Sequence, residues 1–255
     1  MAGVSLTLLL TLLDDAFFLP EWCACVRRLA PDEVLVVDGG STDGGPESLE
    51  AQDLPNLRLL RRPMQEIDWH YSRQLNFAAT HARGDWVLLL DADEILWPPR
   101  RRLLTAALAD AGRVVSFWLA RFHLWPDERT RLDCDPRFDP QPRLWRREAG
   151  IVWVRKAHNQ QTLRGRIVGW EHPQAQLLAE PVLLHRKELA PRPLRLARHR
   201  RWRTHWGLAS AAAGLPIPEA LPEEFGPTRP LPADVANWRA RLMRGSARER
   251  RHAAP

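Results

Sequence analysis

The chain has little lysine, little cysteine and no apolar run long enough to cross a bilayer. Of its 37 basic residues only Lys156 and Lys187 are lysine, which is typical of a G+C-rich coding bias. We therefore do not take the net charge of +6 as evidence for a nucleic-acid partner. No helix-turn-helix, zinc-finger or RNA-binding signature is present, so nucleic acid is not expected as a ligand.

The three cysteines exclude two classes of small stabilised domain. Cys23, Cys25 and Cys134 are too few for a disulfide framework or a four-ligand zinc site, and Cys23-x-Cys25 has the wrong spacing for a redox motif. A cytoplasmic location is the resulting expectation. The apolar residues 4–13 lack a preceding basic segment and run directly into Asp14 and Asp15, so they predict a buried strand rather than a signal peptide.

The length and composition indicate one α/β domain with a short appendage. The 255 residues are 45% hydrophobic and 27% charged, which excludes general disorder and a polytopic membrane protein. The charge is uneven, because residues 1–185 carry a net charge of −3 and residues 186–255 carry +9. We predict a domain over residues 1–190 and a basic helical extension, rich in Arg, Trp and Pro, over residues 191–255.

The apolar pattern alternates between buried strands and amphipathic helices. The predicted strands are residues 4–13, 34–37, 57–60, 86–90, 114–119, 151–154 and 177–185, and the predicted helices are residues 20–29, 72–82, 101–111 and 194–208. This order calls for a mostly parallel sheet with helices on both faces. Residues 121–147 show no period and are predicted to be long loops with a short hairpin. Residues 236–251 are predicted to be a last Arg-rich helix or disorder.

An acidic, glycine-rich loop follows the second predicted strand. Asp38 ends that strand and Gly39 and Gly40 come next, so the backbone there can approach a ligand closely. Ligands of parallel sheets bind at the carboxyl ends of strands, and Asp38 could accept hydrogen bonds from a ribose or a base there. The other interpretation is a tight turn that Asp38 closes with its own side chain.

A second acidic loop follows the strand at residues 86–90. Asp91 and Asp93 alternate onto the same side, and two like charges this close favour a cation between them. Carboxylate oxygens suit Mn²⁺ or Mg²⁺, and such an ion would stabilise charge on a departing diphosphate. The alternative is a solvated turn. Glu94 is expected to cap the following helix, and Asp93 is expected to be exposed, so that Asp93→Ala would barely change the melting temperature.

Three segments together resemble glycosyltransferase family 2, which has the GT-A fold. They are residues 36–44, 72–78 and 84–94, and the resemblance extends to short enzymes similar to lipopolysaccharide-core glucosyltransferases. The resemblance implies a Rossmann-like GT-A domain and an inverting, metal-dependent transfer of a sugar from a nucleotide-diphospho-sugar. It further implies an acceptor hydroxyl on a cell-envelope glycan or glycolipid.

The resemblance also implies roles for individual residues. Asp38 and Gly39 would bind the nucleoside, and Asp91 and Asp93 would form the metal and diphosphate motif. Asn76 matches the asparagine of the family's Arg-Asn pair. Leu75 stands in place of that arginine, and Arg73 is the neighbouring candidate for its charge.

Downstream segments bear on the catalytic base and the third metal ligand. Residues 142–146 resemble a family strand, and residues 152–159 resemble the family's Val-His-Glu segment, where this chain has Asn159 instead of the glutamate. An amide cannot accept the acceptor's proton, so His158 is the first candidate base. Glu171 and Asp135 are the fallbacks, and a structural role for His158 stays open.

A late histidine is the candidate third metal ligand. Related enzymes often close the metal site in this way, and imidazole suits Mn²⁺. His185 is preferred to His172 because it ends an apolar strand, and a structural role for it stays open.

The basic extension carries Trp202 and Trp206 one helical turn apart. A basic helix with tryptophans can lie on an anionic membrane surface or hold an anionic acceptor, and it can equally pack its tryptophans on the domain. Two other functions stay open for the whole chain. One is a nucleotidyltransferase, although no Gly-rich phosphate loop follows the first strand. The other is a silent sugar-nucleotide-binding or membrane-associated scaffold.

Overall fold

The computed structural model describes residues 4–132, 139–212, 228–233 and 235. The strands are β1 Leu6–Leu12, β2 Glu33–Asp38, β3 Leu57–Arg61, β4 Trp86–Leu89, β5 Glu94–Trp97, β6 Ser116–His123, β7 Thr130–Leu132, β8 Gln141–Arg146, β9 Ile151–Val154, β10 Gln160–Leu163, β11 Arg166–Ile167, β12 Ala175–His185 and β13 Thr228–Pro230. The α-helices are α1 Leu19–Leu29, α2 Gly45–Glu50, α3 Tyr71–His81, α4 Arg101–Ala109 and α5 Arg192–Ala212. Short 3₁₀ turns lie at Ala16–Phe18, Met64–Ile67, Arg147–Ala149 and Lys187–Leu189.

Eight strands form the main sheet, in the order β3-β2-β1-β4-β8-β6-β12-β5. The four strands β3, β2, β1 and β4 run parallel, as the sequence predicts. β8 is antiparallel to both its neighbours, β12 is parallel to β6, and β5 is antiparallel to β12. A three-stranded antiparallel sheet, β11-β10-β9, lies apart from the main one. The architecture is a mixed α/β fold of the predicted class.

The central strand β1 is buried along its whole length because helices cover both faces of the sheet. Its alternate residues enter different cores: Leu8 and Leu10 pack with α1 on one face, and Leu9 packs with α3 on the other. α1 begins with Pro20 in its first turn, and its Trp22 Nε1 donates a 3.1 Å hydrogen bond to the carbonyl of Leu90. Helix α1 thus packs against the sheet and fixes the position of the strand ends that the acidic loops follow.

Two sequence expectations are wrong. Glu94 does not cap a helix: it begins β5, is fully buried, and lies between Arg143 and Arg121, while α4 starts only at Arg101. Residues 141–146 are not loop, as the lack of a period predicted, but the strand β8, inserted between β4 and β6, which agrees with the resemblance of residues 142–146 to a family strand. In both places a buried charged side chain interrupts the apolar pattern that marks a strand.

The C-terminal part is described only in pieces. α5 confirms the helix predicted over residues 194–208, and β13 pairs with β7. The prediction for residues 236–251 lies outside the described residues. Within the described part of the chain, no helix combines the length and the apolar character needed to cross a membrane.

Candidate active site

The two acidic loops lie at one edge of the sheet, as predicted. Leu12 of β1 pairs with Asp38 of β2, and the amide of Leu90, just past β4, bonds to the carbonyl of Leu9 at 3.0 Å. Because all three strands are parallel, the segments after them emerge side by side. A cavity of about 680 Å³ opens at this edge, and β8, β10, β12 and α5 contribute to its walls.

Asp91 faces this cavity from the turn after β4. Its Oδ2 accepts a 2.6 Å hydrogen bond from Arg143 of β8, and its Oδ1 lies 3.3 Å from the hydroxyl of Tyr71. The Tyr71 hydroxyl is in turn hydrogen-bonded to Thr11 at the end of β1. Asp91 is therefore held by side chains from two elements, β8 and α3, and still lines the cavity.

Asp93 is buried rather than exposed, which corrects the sequence expectation. Its Oδ2 accepts a 2.6 Å hydrogen bond from Arg198 of α5 and lies 3.5 Å from His185 Nε2. Burial by itself raises the pKa of Asp93, but Arg198 and His185 together outweigh it and hold that pKa well below its ordinary range. Asp93 is therefore ionised at neutral pH, and the helix α5 is part of the site.

His185 ends β12 beside Asp93, as the sequence predicts. Burial lowers the pKa of His185 to about 3, so its ring is neutral at physiological pH. Its Nδ1 lies 2.7 Å from His123 Nδ1, and His123 Nε2 lies 3.1 Å from Asp139. A neutral imidazole with its other nitrogen hydrogen-bonded is the form in which histidine binds metals.

Asp15, which lines the cavity directly after β1, is a site residue that the sequence reasoning missed, and Asp14 lies beside it. Burial raises the pKa of Asp15 to about 6, although the charge of Arg198 opposes this rise and that of Asp93 adds to it. Asp14 accepts hydrogen bonds of 2.7 Å from the amide of Thr42 and of 2.6 Å from Arg201 of α5. The sequence contains a signal that could have identified them, because these two aspartates follow a buried strand in the same way as Asp91 and Asp93 do.

Asp38 and Gly39 lie at the expected edge but do not line the cavity. The buried Asp38 carboxylate accepts hydrogen bonds from the amides of Gly40 at 3.2 Å and Ser41 at 2.9 Å, which is the turn-closing arrangement. A Cβ at Gly39 would lie 2.9 Å from Met64 Cγ and 3.2 Å from the carbonyl of Leu12. Their nucleoside-binding role stays a prediction.

Asn76 and Arg73 on α3 also lie outside the cavity lining. Asn76 forms two hydrogen bonds with the backbone of Trp153, donating to its carbonyl at 2.9 Å and accepting from its amide at 2.8 Å. Arg73 is exposed. In the structure, therefore, Asn76 positions β9, and a contact of either residue with a nucleotide stays a prediction.

The candidate bases are divided between the cavity and the surface. His158 lines the cavity, its φ is 50°, and its ring lies 5.8 Å from that of Trp202. Partial burial and then the charge of Arg155 lower the pKa of His158. Glu171 is exposed and does not line the cavity, while Asp135 lies outside the described residues. The cavity thus favours His158, although its role stays a prediction.

The aromatic residues of α5 face the protein. Trp206 is buried, and its Nε1 donates a 2.7 Å hydrogen bond to the carbonyl of Trp69. Trp69 also stacks on His205, with ring centroids 3.5 Å apart, and Trp202 lies beside Trp206. Of the alternatives for the basic extension, this is the one in which the tryptophans pack on the domain. The packing places Arg198 and Arg201 next to the acidic loops.

Comparison with known proteins places this site in a family. Residues 18–162 match the sequence model of glycosyl transferase family 2, which is more than half of the chain, so the chain belongs to glycosyltransferase family 2. A TPR repeat-containing protein of Synechococcus elongatus is 32% identical over 190 residues, covering 68% of this chain. The chain spans only 41% of the length of that relative.

Two solved structures align with this chain at low sequence identity, and the mannosyltransferase, the more similar of the two in fold, has the predicted GT-A architecture. A mannosyltransferase of Pyrobaculum calidifontis, solved with GDP-mannose and Mn²⁺, aligns over 100% of this chain and 77% of its own, with a TM-score of 0.53 and 16% identity. A glucosyl-3-phosphoglycerate synthase of Mycobacterium tuberculosis, solved with Mn²⁺, UDP and glucosyl-3-phosphoglycerate, aligns over 90% of this chain and 88% of its own, with a TM-score of 0.47 and 14% identity. The predicted GT-A fold is confirmed.

Proposed function

We propose that this chain transfers a glycosyl unit from a nucleotide-diphospho-sugar to a hydroxyl of a glycan or glycolipid acceptor, with inversion at the anomeric carbon. One observation carries the proposal: Asp91, Asp93, Arg143 and Arg198 converge on a single cavity at the sheet edge where loops follow parallel strands. The nucleotide sugar in the mannosyltransferase structure supports the donor class.

The cavity is suited to a diphosphate because guanidinium groups enter it from two sides. Among the described residues, Arg143 Nε and Arg198 Nη1 are buried and make no hydrogen bond, although Arg198 Nη1 lies 3.6 Å from Asp15 Oδ1. Guanidinium groups recognise phosphate oxygens through paired N–H donors. We expect these two arginines to bind the donor diphosphate and to stabilise the charge that grows on it as the sugar leaves.

A divalent cation fits the chemistry of the donor set. Among the described residues, no three His, Cys, Asp or Glu side chains are already grouped to hold a metal ion. However, Asp91 and Asp93 offer carboxylate oxygens, His185 offers a neutral nitrogen, and Asp15 Oδ1 is buried without a hydrogen-bond partner. These residues would hold Mn²⁺ or Mg²⁺, which would offset negative charge on the diphosphate.

His158 is the group that we expect to take the acceptor's proton. The acceptor oxygen forms a bond to the anomeric carbon while the bond from that carbon to the diphosphate oxygen breaks, and the bonding electrons leave with the nucleoside diphosphate. The acceptor's hydroxyl proton passes to the neutral imidazole. The lowered pKa of His158 keeps the ring unprotonated, and therefore able to accept, at neutral pH.

Turnover of nucleotide sugars tests the proposal. The full chain is mixed with UDP-, GDP- and dTDP-sugars and Mn²⁺, and nucleotide release is measured with and without EDTA. We expect release from at least one donor, loss of release in EDTA, and a fall of about a hundredfold or more in Asp93→Asn. Asp110→Asn, at the exposed end of α4, is the matched control. Binding without turnover would instead support a silent scaffold.

We further propose that the chain works in the cytoplasm, peripherally on the inner face of the cell membrane. Arg192, Arg200 and Arg203 are exposed on α5 and would face anionic headgroups. Because Trp202 and Trp206 pack inward, this attachment would be electrostatic. Partitioning onto vesicles of anionic and of neutral lipid tests it: we expect binding to the anionic vesicles only, and equal partitioning onto both would contradict it.

A further inference from the structure

One wall of the cavity contains none of the residues to which the proposed function assigns a role. It consists of Trp118 on β6, Trp153 on β9, and Gln160 and Gln161 on β10, all of which line the cavity. Trp153 and Gln161 are paired across the β9–β10 ladder, so their side chains are neighbours. Ser116, two residues before Trp118, donates a 2.6 Å hydrogen bond to Gln161 Oε1 and so ties this ladder to β6.

The polar atoms of this wall lack hydrogen-bond partners among the residues that the structure describes. Trp118 Nε1, Trp153 Nε1 and Gln161 Nε2 are buried donors without an acceptor, and Gln160 Oε1 is a buried acceptor without a donor. Trp153 and Gln161 are only 3% and 1% exposed. Buried polar atoms in proteins are nearly always hydrogen-bonded, so four such atoms on one cavity wall call for a partner that enters the cavity from outside.

The chemistry of the wall points to an uncharged, hydroxyl-rich ligand. Sugar hydroxyl oxygens can accept from the three N–H donors, and a hydroxyl hydrogen can be donated to Gln160 Oε1. Indole rings also offer apolar surface to the C–H face of a sugar ring. The four wall residues carry no charge, and Arg121 and Lys156 nearby are paired with Asp139 and Asp68, so the wall offers no cation of its own to an anionic group.

We propose that Trp118, Trp153, Gln160 and Gln161 form the subsite for an uncharged glycosyl unit of the acceptor. This inference rests on the proposed function and adds the acceptor's chemical class to it. The subsite shares the cavity with Asp91 and Asp93, so a sugar bound there can present one hydroxyl toward the donor. Specificity for the acceptor then depends on these four side chains rather than on the cationic groups of α5.

Saturation-transfer NMR with small neutral sugars tests the subsite. The full chain is titrated with the methyl glycosides of glucose, galactose, mannose and N-acetylglucosamine, and in parallel with glucose 1-phosphate. We expect at least one glycoside to bind and Trp118→Phe, which keeps a ring but removes the N–H, to weaken it about fivefold. Gln161→Glu, which keeps the acceptor for Ser116 but removes the N–H donors, should do the same. Trp170→Phe, at an exposed tryptophan outside the cavity, should bind like the wild type.

Three results would overturn the subsite. The first is that no glycoside binds, which is expected if only water occupies the cavity beside this wall. The second is that the wild type and both variants bind a glycoside equally well. The third is that glucose 1-phosphate alone binds and that its binding depends on Trp118. Calorimetry with UDP and GDP on the wild type separates this inference from the proposed function. Nucleotide binding without glycoside binding refutes the subsite only, whereas glycoside binding without nucleotide binding refutes the transferase.

Discussion

Arg198 Nη2 and Asp93 Oδ2 are 2.6 Å apart, so a single ion pair joins the C-terminal helix α5 to the turn after β4, 105 residues earlier in the chain. Both side chains are largely buried, with 16% and 6% of their surface exposed. Removing one partner of a buried pair leaves an uncompensated charge, which is costly. The pair therefore couples the stability of α5, which lies beyond the boundary predicted near residue 190, to that of the domain before it.

The first prediction concerns this pair. We expect Arg198→Ala to lower the free energy of unfolding by about 3 kcal/mol, because Asp93 loses its buried counter-charge. Arg200→Ala, at an exposed position of the same helix, should change it by less than about 0.5 kcal/mol. Urea denaturation followed by circular dichroism measures both. Equal losses in the two variants would mean that the pair does not anchor the helix.

The second prediction concerns Asn76, whose side chain bonds to both backbone groups of Trp153. We expect Asn76→Ala to lower the unfolding free energy by about 2 kcal/mol, since two partly buried hydrogen bonds are lost. Asn76→Asp is the matched variant: its carboxylate can still accept from the Trp153 amide but can no longer donate to the carbonyl. UDP binding is measured alongside denaturation. A loss of UDP affinity with unchanged stability would show that Asn76 serves the nucleotide and not β9.

The sequence was sufficient to predict the part of the fold that depends on uninterrupted apolar runs. β1, β2 and β4 are such runs, each closed by aspartate, and parallel pairing alone then brings Asp38 and Asp91 to one edge. β8 was obscured because Pro142 and Arg143 break its pattern. The side chain of Arg143 is acceptable in a buried strand only because Asp91 and Glu94, about fifty residues away in sequence, neutralise it.

The contribution of α5 to the site could not be read from its own residues. Residues 186–203 contain eight basic residues, a composition typical of a solvent-exposed helix. The structure shows instead that Arg198 and Arg201 contact the carboxylates of Asp93 and Asp14. The sequence also could not distinguish between the two interpretations of Asp38. An aspartate before glycines can face a ligand or close its own turn, and the choice depends on where the carboxylate points.

The third prediction is a pH dependence of stability away from the cavity. Burial raises the pKa of Glu33, but hydrogen bonds from Thr7, the Arg83 amide and Arg58 outweigh it and lower that pKa overall. A lowered pKa stabilises the fold above the unfolded-state value of about 4.3, and the effect is lost as the pH falls through the folded-state value. The extra stability of the wild type over Glu33→Gln should therefore be present at pH 7 and shrink as the pH falls below about 4.

Urea denaturation of both proteins from pH 7 to pH 3 checks this dependence. Glu50→Gln, at the exposed end of α2, is the control and should follow the wild type across the whole range. A difference between wild type and Glu33→Gln that stays constant with pH would contradict the assignment.

The last prediction uses one substitution at two glycines. A Cβ at Gly84 would lie 2.5 Å from the amide nitrogen of Thr7 and 2.9 Å from the carbonyl carbon of Leu6, and these backbone atoms of β1 cannot move aside cheaply. We expect Gly84→Ala to lower the unfolding free energy by about 1–3 kcal/mol, as overpacking does. Gly207 lies within α5 and a Cβ there would meet nothing within 4 Å, so Gly207→Ala should raise stability by up to about 1 kcal/mol. We therefore expect the two substitutions to shift the melting temperature in opposite directions. A Gly84→Ala protein that melts like the wild type would show that the backbone of β1 can move to accommodate the added methyl group just before β4.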